Sequence, residues 1–250
     1  VNVYWASTVL APVPGNEERI GAGARTVAAD TPVRASLESL FAGTDSIETE
    51  IGMSSLIPAG TRVLGIAVDG TTATVDLSGE FENSIGGTLA ESMQIAQVVF
   101  TVTQFDNIDR VRFHIDGEPR TELLSHGFEI GEGLTRDDFA NIRPAILVEQ
   151  PFPGAAVGNP LVIAGESNTF EGTVQFSVLT GGGDGLVVMD GFTTATAGNG
   201  TWGTYEAVVE LSEFPETYLP GPGSIVVFEI SPADGGPTNI VEIPITLPNL

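Results

Sequence analysis

Residues 62–77 read RVLGIAVDGTTATVDL, and this stretch decides the fold class of the first half of the chain. Two apolar, β-branched runs, 62–68 and 72–77, flank Asp69-Gly70, a dipeptide with ready access to positive φ that suits the type I′ turn of a tight hairpin. Upstream, Thr31 is placed as an N-cap and Pro32 as the first helical residue. Val33, Leu37, Leu40 and Phe41 then fall on one helical face, and Gly43 stops the helix. Residues 1–5 alternate in the manner of a strand, and Pro12, Pro14 and Gly15 interrupt the run that follows.

Downstream of the hairpin, Thr88-Leu89-Ala90-Glu91 has the form of a capping box opening a second helix. Leu89, Met93, Ala96 and Phe100 share a face of that helix, against the β preference of residues 98–102. Residues 110–117 alternate strictly, with Val111, Phe113 and Ile115 directed inward as a last strand. The predicted first domain, residues 1–117, is therefore α+β in the order β-α-β-β-α-β, two helices on a small sheet.

Residues 118–144 are polar and lack a sustained period, which predicts a connecting segment. From residue 145 the pattern changes: ten of the 16 prolines lie beyond position 150, glycines cluster, and no helical period is visible. Seven strand-like runs, 146–149, 161–167, 173–179, 186–192, 205–211, 225–230 and 240–247, predict an all-β sandwich over residues 145–250.

The chain carries 33 Asp+Glu against nine arginines and no lysine, a formal charge of −24. Such a surface repels phosphate backbones and anionic headgroups, which excludes nucleic acid and direct electrostatic membrane binding as partners. All nine arginines precede residue 144. Zero cysteines rule out disulfides, thiolate metal sites and a cysteine nucleophile. No apolar run reaches the roughly 20 residues of a membrane-spanning helix, and the sequence opens without a basic, apolar leader, as a mature ectodomain would.

No constellation of catalytic residues emerges. His114 and His126 are the only histidines, one on the arginine-bearing face of a strand and one in the polar segment, without zinc spacing or a nucleophile elbow. Asp76 reads as a residue facing solvent or satisfying backbone amides, Glu80 and Glu82 as a polar cap, and the acidic stretch 45–50 as an exposed loop without the glycine turn of a calcium site. Gly181 to Gly185 lacks the lysine of a phosphate loop and reads as a hairpin tip, and Asn199-Gly200-Thr201 reads as a turn. Trp202 and Tyr205, beside that turn, are the candidate partner contacts, as exposed aromatics able to stack on a sugar or a protein. No metal, cofactor or catalytic residue is expected.

Two segments carry a family likeness. LIPAGTRVLG (56–65), ATVDLS (73–78), EF (80–81) and DRVRF (109–113) together resemble the central signature of the GerMN-type sporulation and spore germination domain. VEQPFPG (148–154), PLVIAG (160–165), NTFEGTV (168–174) and FTTAT (192–196) resemble the immunoglobulin-like domain of bacterial spore germination that often follows it. The likeness implies an extracytoplasmic protein of the cell envelope or cell surface, held by an N-terminal lipid or segment absent from this chain. It implies no enzyme, but a scaffold or interaction protein that associates with itself or with envelope proteins. The alternative is a binding module for cell-wall glycan or extracellular polysaccharide.

Overall fold

The computed structural model describes residues 1–7, 19–83, 86–181, 185–211 and 218–249. The expected interruption at 12–15 and the hairpin tip at 182–184 lie outside the described residues. The chain divides into two compact units, the first built from residues 1–7 and 18–143 and the second containing residues 144–250.

Among its described residues the first unit mixes three α-helices, α1 (Pro32–Ala42), α2 (Ser46–Glu50) and α3 (Thr88–Val102), with two main sheets, where one was expected, and a two-stranded ribbon of Glu122–Leu123 and Phe128–Glu129. The larger sheet is four-stranded. Its edge is Val63–Asp69, followed by Thr72–Leu77, Arg110–Ile115 and the short Glu118–Pro119. Thr72–Leu77 and Arg110–Ile115 run parallel, as they must when α3 carries the chain between them. Ala73, Val75 and Leu77 on one strand and Val111, Phe113 and Ile115 on the other are buried, so both strands present one apolar face to the core. The hairpin forms one residue later than expected. Asp69 pairs with Thr72, and of the two turn residues only Gly70 has a positive φ, +58°, as in type II′, whereas type I′ needs both.

The smaller sheet was only partly foreseen. Asn2–Ser7 pairs along its length with Arg19–Ala24, sequence RIGAGA, and at its far end with Met53–Ser54. Glycine is a poor strand former, which hid Arg19–Ala24 from propensity, but here it permits close approach. A Cβ at Gly23 would stand 1.9 Å from a Glu48 carboxylate oxygen, and one at Gly21 would meet Met53.

Helix α3 is buried on every side from Glu91 to Val102, and this packing overrides the β preference of 98–102. Its polar residues are not exceptions. Gln97 and Thr101, with Gln104 just beyond the helix end, at i, i+4 and i+7, face Asn2–Ser7 where that strand has no neighbour among the described residues. Gln104 Oε1 accepts from the Asn2 N–H (2.7 Å) and its Nε2 donates to the Asn2 carbonyl (2.7 Å). Thr101 Oγ1 accepts from the Tyr4 N–H (3.3 Å), and Gln97 Nε2 donates to the Tyr4 carbonyl (3.2 Å). The helix thus does the hydrogen bonding of a missing strand. Its start differs from expectation: Gly87 is the N-cap, no side chain caps it, and Leu89 is 45% exposed.

Residues 118–143 are no connector but part of the first unit. Leu123, Ile130, Leu134, Phe139 and Ile142 are buried. Arg136 lies over the Tyr4 and Phe100 rings, and its guanidinium donates to Tyr4 Oη (3.0 Å) and the Phe100 carbonyl (3.2 Å).

The second unit is β-rich, and each of the seven predicted runs contributes to a strand. Ile146–Gln150, Leu161–Ser167 and Gly203–Val209 form one sheet. Leu186–Thr194, Thr173–Thr180, Gly221–Ile230, Pro237–Leu247 and the short Ala155–Ala156 form the other. Inward residues of both, among them Ile163, Val178, Ile225 and Ile243, share one apolar core.

Candidate functional site

Three buried or half-buried ionic groups in the first unit invite a chemical reading, and each has a structural task. Asp45 and Glu48 cap α2 reciprocally, so the acidic stretch is not the exposed loop expected from its charges. Glu48 is 2% exposed. Its carboxylate accepts from Trp5 Nε1 (2.9 Å), from Arg25 Nη1 and Nη2 (2.8 and 2.6 Å) and from the Asp45 N–H (2.8 Å). The Arg25 guanidinium is correspondingly raised above its ordinary value, chiefly by its hydrogen bond to Glu48, against the opposing effect of burial.

Glu91, 1% exposed, holds the turn at Ser125-His126. Its oxygens accept from the Ser125 hydroxyl (2.6 Å), the Ser125 and His126 amides (both 3.2 Å) and His126 Nδ1 (3.0 Å). Burial pushes this carboxyl up, but hydrogen bonds from Ser125 and His126 outweigh it and hold the group below the usual carboxylate range. Serine, histidine and glutamate meet here in the wrong order for acyl transfer. The hydroxyl and the carboxylate crowd the same ring nitrogen, Nδ1, whereas a triad places them on opposite nitrogens.

Asp76 Oδ1 accepts from the Gly117 N–H (3.0 Å), one of the two roles expected of it. Glu80 pairs with Arg62 (3.7 Å) and Glu82 with Arg120 (3.5 Å) around a turn of 3-10 helix, Gly79–Glu82. His114 is half-buried on the face opposite Val111, Phe113 and Ile115. Among the described residues, no three His, Asp or Glu side chains are grouped to hold a metal ion.

The aromatic pair expected at the second unit's surface is not one. Tyr205 is 3% exposed in the sandwich core, where its hydroxyl donates to the Leu147 carbonyl (3.3 Å), and burial, then the nearby Glu149 carboxylate, push its phenol up. Strand alternation could have shown this, because Tyr205 shares its inward parity with Val209. Trp202 is half-buried just before that strand. The neighbouring turn is tied down as expected: Asn199 Oδ1 accepts from the Glu171 N–H (3.0 Å) and Asn168 Oδ1 from the Gly200 N–H (2.7 Å). A glycan platform built on both aromatics is therefore excluded.

One surface that remains open among the described residues is a seam in the first unit, between α1 and the edge strand Val63–Asp69. Thr31, Pro32, Val33, Arg34 and Ile66 line a hollow at one end. Glu38, Phe41, Ala42, Thr61, Arg62 and Val63 line another. Leu37 and Leu40 bury the inner face of α1, leaving Val33 and Phe41 half-exposed along the seam. On the strand, Leu64 and Val68 are 45% and 44% exposed. Composition gave no hint of this seam, since its residues read as ordinary core positions of a helix and a hairpin.

Comparison with known proteins finds each unit similar to a spore germination module. Residues 2–121 match the family described as sporulation and spore germination, and residues 145–236 match the immunoglobulin-like domain of bacterial spore germination. A curated relative, the spore germination protein GerM of Bacillus subtilis (strain 168), is 36% identical over 96 residues, 38% of this chain and 25% of that protein. The chain thus matches about a quarter of that relative's length. Among solved structures, the first GerMN domain of the sporulation protein GerM from Bacillus subtilis is 24% identical, covering 55% of this chain and 99% of its own, with a TM-score of 0.43. The tandem GerMN domains of the same protein are 18% identical, covering 85% and 62%, with a TM-score of 0.46.

Proposed function

We propose, from the premise that this chain carries a GerMN-type domain followed by the immunoglobulin-like domain of bacterial spore germination, that it is a non-catalytic scaffold or interaction protein of the cell envelope. It works outside the cytoplasm, and its first unit mediates protein–protein association. The observation that carries this reading is the seam: a seven-residue edge strand left open beside half-exposed apolar side chains of α1. The structural employment of Glu48, Glu91 and Asp76 also supports it, because buried carboxylates with satisfied partners are poor proton donors or acceptors for a substrate.

The family match and the name of the GerM relative support an envelope location. No helix among the described residues is long and apolar enough to cross a membrane, which says nothing of a β-barrel. Anchoring by lipid or by a segment outside residues 1–250 is part of the proposal. The second unit, built around its own apolar core, serves as a spacer or second docking surface.

Size-exclusion chromatography with light scattering, across protein concentrations and at two ionic strengths, tests the reading together with titration against purified envelope proteins. A discrete oligomer, or a saturable complex with one of those proteins, is the expected result. A strict monomer that forms neither overturns it.

A further inference from the structure

The open edge has a definite chemistry. Asp69 pairs with Thr72, Ala67 with Thr74 and Gly65 with Asp76, while Ile66 and Val68 stand opposite Val75 and Ala73. In a two-residue hairpin the closing pair and every second pair beyond it exchange hydrogen bonds. The N–H and C=O groups of Ile66 and Val68 therefore point away from the hairpin, to the side where no strand lies among the described residues. Residues 63–68 contain no lysine, proline or charge, the usual devices against edge pairing, and carry only a bulge between Val63 and Gly65. Arg34 Nη1 covers one carbonyl, that of Val63 (2.8 Å), at the beginning of the strand.

Two observations select the occupant. The first is charge: Arg62 immediately precedes the strand and Asp69 ends it, with only uncharged residues between them. An antiparallel copy of the same strand, in a register centred on Ile66, brings Leu64 against Val68 and Arg62 of each chain beside Asp69 of the other. A parallel copy would set like charges against each other. The second is α1, whose half-exposed Val33 and Phe41 line the hollows beside this strand. Because an antiparallel twofold axis stands perpendicular to the joined sheet, both α1 helices, with their half-exposed Val33 and Phe41, would lie on the same side of it.

We propose that this edge is the docking site for a second copy of the chain, strand against strand about a twofold axis through Ile66. The proposal rests on the association reading above and gives it a surface. It also limits it: an isologous contact uses each edge once and closes at a dimer. With a net charge of −24 on each copy, general approach is repulsive, and the matched Arg62 and Asp69 ends distinguish this register from others.

Sedimentation velocity on the full chain tests it, with Arg62→Asp and Asp69→Arg made singly and then mixed. Both positions are exposed, so each variant is expected to keep the parent melting curve. Each reversal places like charges at both ends of the seam and should weaken dimerisation by roughly tenfold. An equimolar mixture restores opposite charges at both ends and should recover the dimer as a heterodimer. A parent chain that stays monomeric at the highest concentrations overturns the proposal, while leaving the association reading intact if an envelope protein still binds saturably. A dimer indifferent to both reversals, or two impaired variants that fail to complement, also overturns it.

Discussion

The two main sheets of the first unit each have a strand with main-chain groups that no neighbouring strand among the described residues reaches, and they are treated oppositely. At Asn2 and Tyr4 both N–H groups and both carbonyls are engaged by Gln97 and Thr101 of α3 and by Gln104 just beyond its end. At Ile66 and Val68 the equivalent groups face an open seam. The difference teaches that an edge is closed by any element presenting donors and acceptors at strand spacing. Four residues along a helix advance about 6 Å, close to the roughly 6.8 Å of two residues along a strand, so one helical face can serve two outward residues. No such helical face lies along the second edge, where α1 offers Val33, Phe41 and the single Arg34 contact.

The sharpest way to break this comparison is Gln97→Leu. It removes the hydrogen bonds that Gln97 makes to the Leu56 N–H (2.9 Å) and to the buried Tyr4 carbonyl (3.2 Å). Chemical denaturation should show a loss of about 2–4 kcal/mol, and a loss near zero would mean that the helix does not close the edge. Thr101→Val, nearly isosteric, removes one acceptor and should cost about 1 kcal/mol by the same measurement.

Acid should loosen the seat of α3 as well. Glu91 is held below its ordinary value, so its contribution to stability is complete above the unfolded carboxylate value, about 4.3, and is lost as pH falls through its lower folded value. Melting temperatures followed downward from neutral pH should fall less steeply in Glu91→Gln, and parallel slopes would remove Glu91 from the account. The smallest effect belongs to the open edge. Val68→Lys should shift stability by less than about 0.5 kcal/mol while abolishing self-association, and a large destabilisation would show that the edge is already covered.

What was legible in the sequence follows the same division. Regular alternation and turn chemistry announced the hairpin, α1 and the seven strand runs of the second unit, because each is set by local rules. Arg19–Ala24 was not legible, since its glycines are there to admit Glu48 and Met53, residues remote in sequence. Gln97, Thr101 and Gln104 interrupt an apolar helix and reveal their task only when Asn2–Ser7 lies beside them. Residues 118–143 hid their place in the core because Leu123, Ile130, Leu134 and Phe139 follow no period, and Arg136 looked like surface charge. Two misses were avoidable. Asp45 and Glu48 have capping-box spacing, and Tyr205 keeps step with Val209.

The closure of Asn2 and Tyr4 by α3 also bears on how the chain is made. The groups it joins are 93 to 102 residues apart in sequence. At about 5–20 residues per second, a strand emerging from the ribosome waits roughly 5–20 s for the helix that will satisfy it. During that interval its outward amides and carbonyls are available to any extended neighbour. The outward groups of Asn2 and Tyr4 are therefore satisfied only on arrival of the unit's most buried helix, and the unit itself is complete only once the strand Arg110–Ile115 and residues 118–143 have followed.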